Sequence, residues 1–275
     1  MRYIREYKKF QEIDILTDDA IKHLDYEIIM DLLYKFRNKD IGDKLWKIVD
    51  RFESEDPKGY STPKDWFEDK DYKTFMQYFK RKISSDKWKE ITENEDNIMS
   101  IPCECDVHSI GDFKDVKTFL GPYNSTGQKE IMSLKKPTRH ITEDLKDVGI
   151  KDIDKLSFIN MELLKLFYHR VHSPISGKIK RIIEVKPEDS FFDENNLWIV
   201  DIETKENGNV YLMLVGELSI QDFSFRVKKG DTVNMYDEIG NFNWASQVII
   251  IYDKKKFDKN FAKTGKRYFV GDRIF

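Results

Sequence analysis

The sequence predicts an α+β fold, with helices first and a mostly antiparallel β domain after them. Three observations lead to it. Between residues 18 and 53, apolar side chains recur every three or four positions, the spacing of one helix face. From Phe158 onward the apolar runs shorten and fill with β-branched residues, which suit strands. Two of those runs are separated by Asn207-Gly208, a dipeptide that favours a tight hairpin turn.

In chain order, Asp18 and Asp19 are the expected N-cap residues of a first helical stretch. Ile21, Leu24, Ile28, Leu32 and Phe36 form its stripe, and Leu45, Ile48, Val49 and Phe52 continue it after Gly42. The opposite face carries both signs of charge, which marks core packing rather than a membrane-lying helix. Pro57, Gly59 and Pro63 make residues 54–65 a loop. A second helix is expected over 69–83, with Tyr72, Phe75, Phe79 and Ile83 on one side and Trp66, Phe67 and Trp88 flanking it. Such an aromatic group packs a core more often than it walls a pocket. Glycines and prolines interrupt residues 109–157, leaving one short helix around 142–147, with Thr142 as N-cap and Glu143 and Asp144 in its first turn. Strands are expected at Ile179, Ile182 to Val185, Leu197 to Thr204, Val210 to Val215 and Val248 to Tyr252, with a turn at Lys229-Gly230-Asp231.

The 275 residues are 40% hydrophobic and 35% charged, enough chain for a sizeable core. A net charge of -3, with acidic and basic residues interleaved, gives no general attraction to nucleic acid or to an anionic membrane. No apolar run approaches the ~20 residues of a membrane span, so no transmembrane segment is expected. The start, Met1-Arg2-Tyr3-Ile4-Arg5-Glu6, lacks the apolar centre of a signal peptide. Cys103 and Cys105 are too close together for a disulfide framework. These features point to a reducing, cytoplasmic setting.

Two stretches carry candidate chemistry. The first is Tyr168-His169-Arg170-Val171-His172-Ser173-Pro174-Ile175-Ser176-Gly177-Lys178-Ile179. As a bare spacing, its two histidines fit a surface patch before a hairpin, or a turn capped by His172, as readily as a site. The second is Pro102-Cys103-Glu104-Cys105-Asp106-Val107-His108. The Cys-x-Cys-x-x-His spacing suits zinc in its ligand types, but no second cysteine pair exists, and two small buried thiols beside a turn is the simpler reading. No metal is expected. Glu104, set between two apolar-leaning cysteines, is expected to be partly buried and to need a partner, for which histidine is a natural choice.

In this setting the first stretch resembles the signature of the phosphatidylserine decarboxylase family, which reads Tyr-His-Arg-x-His-x-Pro. Pro102-Cys103-Glu104-Cys105 resembles the Cys-Glu-Ser version of the family's Pro-Ala-Asp-Gly block, a version typical of the branch with soluble aromatic amino acid decarboxylases. Leu214-Val215-Gly216, Val227 to Asp231 and Glu238 to Phe242 resemble its Val-Gly … Lys-Gly-x-Glu-x-Gly-x-Phe block. Tyr268 to Ile274 resembles its closing strand. The likeness covers about residues 66–275, leaving 1–65 as an N-terminal helical region.

The resemblance implies a pyruvoyl enzyme made by self-cleavage. A serine hydroxyl attacks the carbonyl before it, and the ester eliminates and hydrolyses to leave a pyruvoyl group on the new N-terminus. That ketone forms a Schiff base with a substrate amine and serves as the electron sink for loss of carbon dioxide. Carried over residue by residue, Ser246 is the nucleophile and the source of the cofactor, and Ala245-Ser246 is the cleavage site. His172 is the base that activates the serine, Glu104 is the acid that orients that base, and His169 meets the substrate carboxylate. The implied partner is a small amino acid or a phospholipid head group, and a homodimer is one assembly open to the chain.

The family reads Phe-x-x-Gly-Ser-Thr at the cleavage site, where this chain has Phe242-Asn243-Trp244-Ala245-Ser246-Gln247. The departures at Ala245 and Gln247 motivate an alternative, an unprocessed, retired member acting as a binding protein. Ser173 to Ile179 and Val227 to Val233 also share turns with lipoyl- and biotinyl-carrying proteins, so a lipoyl-like β-sandwich element is expected within the β domain. A carrier's Lys-Met pair is absent, and the likeness is one of fold alone.

Overall fold

A computed structural model describes residues 16–55, 62–68, 71–93, 97–115, 141–185, 196–216, 223–244, 246–257 and 260–275, together with the backbone of 120–123 and 129–131. The chain divides into two units, Met1–Ile83 and Ser84–Phe275.

The first unit is helical, with α1 at Asp18–His23, α2 at Tyr26–Lys35, α3 at Lys44–Glu55 and α4 at Phe75–Phe79. The continuous stripe of residues 18–53 is thus cut into three helices. Leu24 takes an extended backbone and Asp25 follows it in the same region, which ends α1 and starts α2. Gly42, at φ 52, turns the chain toward α3. The cap of α1 is Thr17 rather than Asp18 or Asp19, its Oγ1 accepting from the Ala20 amide at 3.1 Å. The helix expected over 69–83 contracts to α4, opened by a capping box between Thr74 and Gln77. Ile29, Met30, Leu32, Leu33, Leu45, Ile48, Val49 and Phe75 are all buried. Of the loop expected over 54–65, residues 56–61 lie outside the described residues, Ser54 and Glu55 belong to the last turn of α3, and a 3-10 turn begins at Lys64.

The second unit opens with α5 at Ser85–Thr92 and carries α6 at Ile141–Asp147. Its strands are β1 Cys105–Asp112, β2 Leu120–Tyr123, β3 Lys129–Ile131, β4 Leu156–Leu163, β5 Arg170–His172, β6 Gly177–Val185, β7 Leu197–Glu203, β8 Asn209–Gly216, β9 Phe223–Phe225, β10 Thr232–Val233, β11 Glu238–Phe242, β12 Ser246–Asp253 and β13 Arg267–Tyr268. Eight of them form one sheet in the order β10-β6-β7-β8-β12-β4-β1-β13. A second sheet has the order β5-β11-β9, and β2 pairs with β3. All of these pairings are antiparallel. The α+β class is therefore observed. Asn207-Gly208 makes the expected hairpin turn between β7 and β8, with Gly208 at φ 72. The helix expected at 142–147 is α6, which starts one residue earlier, so that Thr142 lies inside it.

The large sheet is covered on both faces. Val248, Ile250 and Tyr252 of β12 share one core with Met161, Leu212 and Val200, and with Val171, Phe223, Ile239 and Phe242 of the smaller sheet. Ile249 and Ile251 point the other way, into a core with Phe158, Met213 and Ile199, and with Ile141, Leu145 and Ile153. Alternation along a strand sends successive side chains to opposite faces, so a strand covered on both reads as one apolar run. The small sheet packs tightly on itself. A Cβ on Gly240 would lie 2.4 Å from the Ser224 carbonyl oxygen, so glycine is what lets β11 approach β9. Among the described residues no helix is long and apolar enough to cross a membrane.

Two-sided burial makes a direct prediction. Ile249→Ala and Ile250→Ala should each destabilise the protein by about 2–5 kcal/mol in denaturant unfolding. A value under about 1 kcal/mol for either would mean that one face of β12 is open.

Candidate functional site

The site grows from the way residues 100–104 run beside β5. Ser100 N–H donates to the Pro174 carbonyl at 2.9 Å, and His172 N–H donates to the Pro102 carbonyl at 2.8 Å. This brings Glu104 against the segment leading into β5. Its carboxylate is fully buried, and Oε2 accepts the Tyr168 amide at 2.7 Å. A carboxylate taken from water needs such donors to offset its lost hydration.

His169 is fully buried, its Nδ1 donating to the Phe167 carbonyl at 2.7 Å. Its own carbonyl accepts the Phe242 amide at 3.1 Å. His172 is buried between rings. The Trp88 ring of α5 lies 4.3 Å from it, and the Tyr168 ring is stacked at 5.8 Å. His172 Nδ1 is 2.8 Å from the Tyr236 carbonyl, and Nε2 is 3.0 Å from the Tyr168 hydroxyl. A carbonyl only accepts, so Nδ1 carries a proton. Burial pulls the His172 pKa down from 6.5 to about 4; the Tyr236 carbonyl opposes the fall and the Arg170 charge adds to it. At neutral pH the ring is therefore neutral, Nε2 is an acceptor, and the Tyr168 hydroxyl donates to it.

Tyr236 reaches His172 from an unusual backbone. Its φ is 78, a region that costs a residue with a Cβ about 1–2 kcal/mol. The conformation is held from several sides. Tyr236 N–H donates to the Ser173 carbonyl at 2.8 Å, Ser173 N–H donates to the Asp237 carbonyl at 2.7 Å, and Asn97 Nδ2 donates to the Tyr236 hydroxyl at 3.0 Å. Beside them Arg170 Nη1 binds Glu238 Oε1 at 2.6 Å.

Ser246 is the first residue of β12, opposite Leu163 of β4 and Gly216 of β8. It is buried, and its Oγ has no hydrogen-bond partner among the described residues. A Cβ on the facing Gly216 would sit in ordinary contact with Trp198, at 3.8 Å. Gln247 faces the other side of the sheet and donates to Asn160 Oδ1. Ala245 lies outside the described residues. Cys103 and Cys105 are both fully buried free thiols, and burial raises the Cys105 pKa well above its ordinary value. His108 turns instead to Glu162, 2.6 Å away.

The structure thus gathers Glu104, His169 and His172 around Phe167 and Tyr168. Ser246 is tied in through the backbone. It follows Phe242 by four residues, and the Phe242 amide bonds His169, so Ser246 lies within about 14 Å of that junction. Neither histidine is hydrogen-bonded to Ser246 Oγ, and both ring nitrogens of His172 are engaged elsewhere. Sequence reasoning missed three residues of the site. Tyr168 was visible inside the histidine motif, and Trp88 only as a flanking aromatic. The left-handed backbone of Tyr236 leaves no mark in a sequence where glycine would be expected.

The family described as phosphatidylserine decarboxylase matches this chain over residues 75–275. Phosphatidylserine decarboxylase proenzyme 2 of Komagataella phaffii is 26% identical over 201 residues, covering 68% of this chain and 19% of the relative. Phosphatidylserine decarboxylase proenzyme 2 of Saccharomyces cerevisiae is 25% identical over 210 residues, 71% of this chain and 17% of the relative. The phosphatidylserine decarboxylase proenzyme of Psychromonas ingrahamii is 28% identical over 120 residues, 44% of this chain and 37% of the relative. The match therefore spans about a fifth of the length of the fungal relatives.

The buried neutral histidine predicts acid sensitivity. A depressed pKa means that the folded chain binds fewer protons than the unfolded chain between pH 6.5 and about 4. Its contribution is complete above pH 6.5 and is lost as pH falls toward 4, a change of about 3 kcal/mol. Unfolding free energies at pH 7 and pH 4 should differ by about that much less in His172→Gln than in the parent chain. Equal pH dependence in the two would contradict the burial of an uncharged His172.

Proposed function

The chain belongs to the phosphatidylserine decarboxylase family, and on that premise we propose that it is a decarboxylase activated by self-cleavage between Ala245 and Ser246. The observation that carries the proposal is the buried Ser246 hydroxyl, which has no hydrogen-bond partner among the described residues and heads a central strand. A hydroxyl left unsatisfied in a core costs about 1–3 kcal/mol, a cost that a reacting group can justify. The relatives' names carry the word proenzyme, which agrees with a chain that must be cut before it works.

In this reading Ser246 Oγ attacks the Ala245 carbonyl carbon. A C–O bond forms and the C–N bond of the peptide breaks. The hydroxyl proton passes to His172 Nε2 and from there to the departing amine nitrogen. His172 suits the task because its proton sits on Nδ1 and its basic lone pair on Nε2. Glu104 holds the Tyr168 amide and so fixes the segment that carries both histidines. His169 receives the substrate carboxylate. Ser246 would become the pyruvoyl group, and the orphaned hydroxyl fits a group made at that position. When formed, that group supplies a ketone to take up the electron pair left by departing carbon dioxide. The substrate is an α-amino carboxylate with a free primary amine, either phosphatidylserine or a soluble L-amino acid.

One observation favours the second reading, a retired member that binds without converting: both nitrogens of His172 are engaged within the protein. The two readings separate in one experiment. The purified chain is incubated with phosphatidylserine vesicles and, separately, with aromatic and other L-amino acids, and amine product is measured. Product from one class, falling to background in Ser246→Ala, is the expected result. No amine from any substrate, or equal product from Ser246→Ala, would overturn the decarboxylase reading.

A further inference from the structure

Tyr168 stands between two of the groups given roles above. Its amide is held by Glu104 Oε2 at 2.7 Å, and its hydroxyl meets His172 Nε2 at 3.0 Å. The far side of the imidazole is committed, with Nδ1 donating to the Tyr236 carbonyl at 2.8 Å. A neutral imidazole with one nitrogen protonated has a single acceptor lone pair, on the other nitrogen. Here the Tyr168 hydroxyl fills it. A lone pair that already accepts one hydrogen bond is not available to a serine proton.

We propose that Tyr168 is a positioning residue that latches His172 in the uncleaved chain, its hydroxyl occupying Nε2 until it turns aside to admit Ser246 Oγ. The proposal rests on the assignment of Ser246 and His172 given above, and it names what controls them. Glu104 Oε2 holds the Tyr168 backbone amide, so the segment keeps its place if the phenol turns. The charged and titratable groups around His172 are Arg170 on its own strand, Glu238 opposite it on β11, Glu104 behind Tyr168, and the Tyr168 and Tyr236 side chains. Arg170 and Glu238 are paired with each other. Among the described residues, the group that reaches Nε2 is the Tyr168 hydroxyl. A donor on Nε2 stabilises the neutral imidazole and weakens it as a base, so removing that donor strengthens it.

The test reads the imidazole nitrogens of His172 by NMR in the full chain carrying Ser246→Ala, which keeps it in one piece, with and without Tyr168→Phe. His172→Gln identifies the resonances. The expected result is a proton on Nδ1 and an accepting Nε2. Tyr168→Phe should move the Nε2 resonance and raise the His172 titration midpoint by about one pH unit. In the chain with Ser246 intact, Tyr168→Phe should convert uncut chain roughly three- to tenfold faster. A proton on Nε2, a titration indifferent to the hydroxyl, or slower conversion would overturn the latch. If Tyr168→Phe fails to fold, the Nε2 resonance in the Ser246→Ala chain decides, since an acceptor nitrogen holding a hydrogen bond is shifted from a bare one. A chain with intact Ser246 that never cleaves overturns the self-cleavage reading, whereas the nitrogen resonances alone decide whether the hydroxyl holds His172.

Discussion

Strand β12 is hydrogen-bonded on both sides, to β4 and to β8, from Ser246 onward, and it is covered by a separate core on each face. A slip of one residue would exchange those faces, driving Gln247 into one apolar core and Val248 into the other. Register is therefore strongly specified, and with it the face on which Ser246 sits. The same burial bears on what cleavage would leave behind. The segment from Ser246 to Phe275 includes β12 and β13, with Ile249, Ile250, Ile251, Phe257, Ile274 and Phe275 buried. At about 1.5–3 kcal/mol for each fully buried large side chain, a cut at its first residue would leave that segment docked in the sheet.

Around the histidines the governing effect is desolvation. Burial under Trp88 and against Tyr168 outweighs the help that the Tyr236 carbonyl gives to a protonated ring, so His172 stays neutral. Neutrality with a fixed Nδ1 proton is what a base requires, and the strained Tyr236 backbone provides it. Glu104 then acts at one remove. Its Oε2 holds the amide of Tyr168, and the Tyr168 hydroxyl closes the second bond on His172. The orienting acid expected from the sequence holds the frame in which the base sits.

The strands with β-branched runs were legible. Leu197–Glu203 and Asn209–Gly216 follow their patterns, and Asn207-Gly208 marks the turn between them. Strands β1 and β4 were not, because their polar residues find partners far away in sequence. Ser157 bonds Asp112, Asn160 bonds Gln247, and Glu162 faces His108 across the sheet. No local window can show that such polar groups are paired and so can be buried. In the first unit the apolar stripe and its break at Gly42 were visible but the earlier break was not, since Leu24 and Asp25 interrupt the helix without glycine or proline. Glu104, His169, His172 and Ser246 came from a resemblance between motifs, whereas Tyr236 and the tautomer it imposes needed coordinates.

The central claim is that Ser246 reacts with the peptide bond before it, and the most direct measurement is the intact mass of the purified, denatured chain. The account predicts two species, one ending at Ala245 and one beginning at position 246. The second should have a mass short of a serine N-terminus by the loss of its amine in favour of a ketone. A single mass for the whole 275-residue chain, unchanged on prolonged incubation, would contradict it.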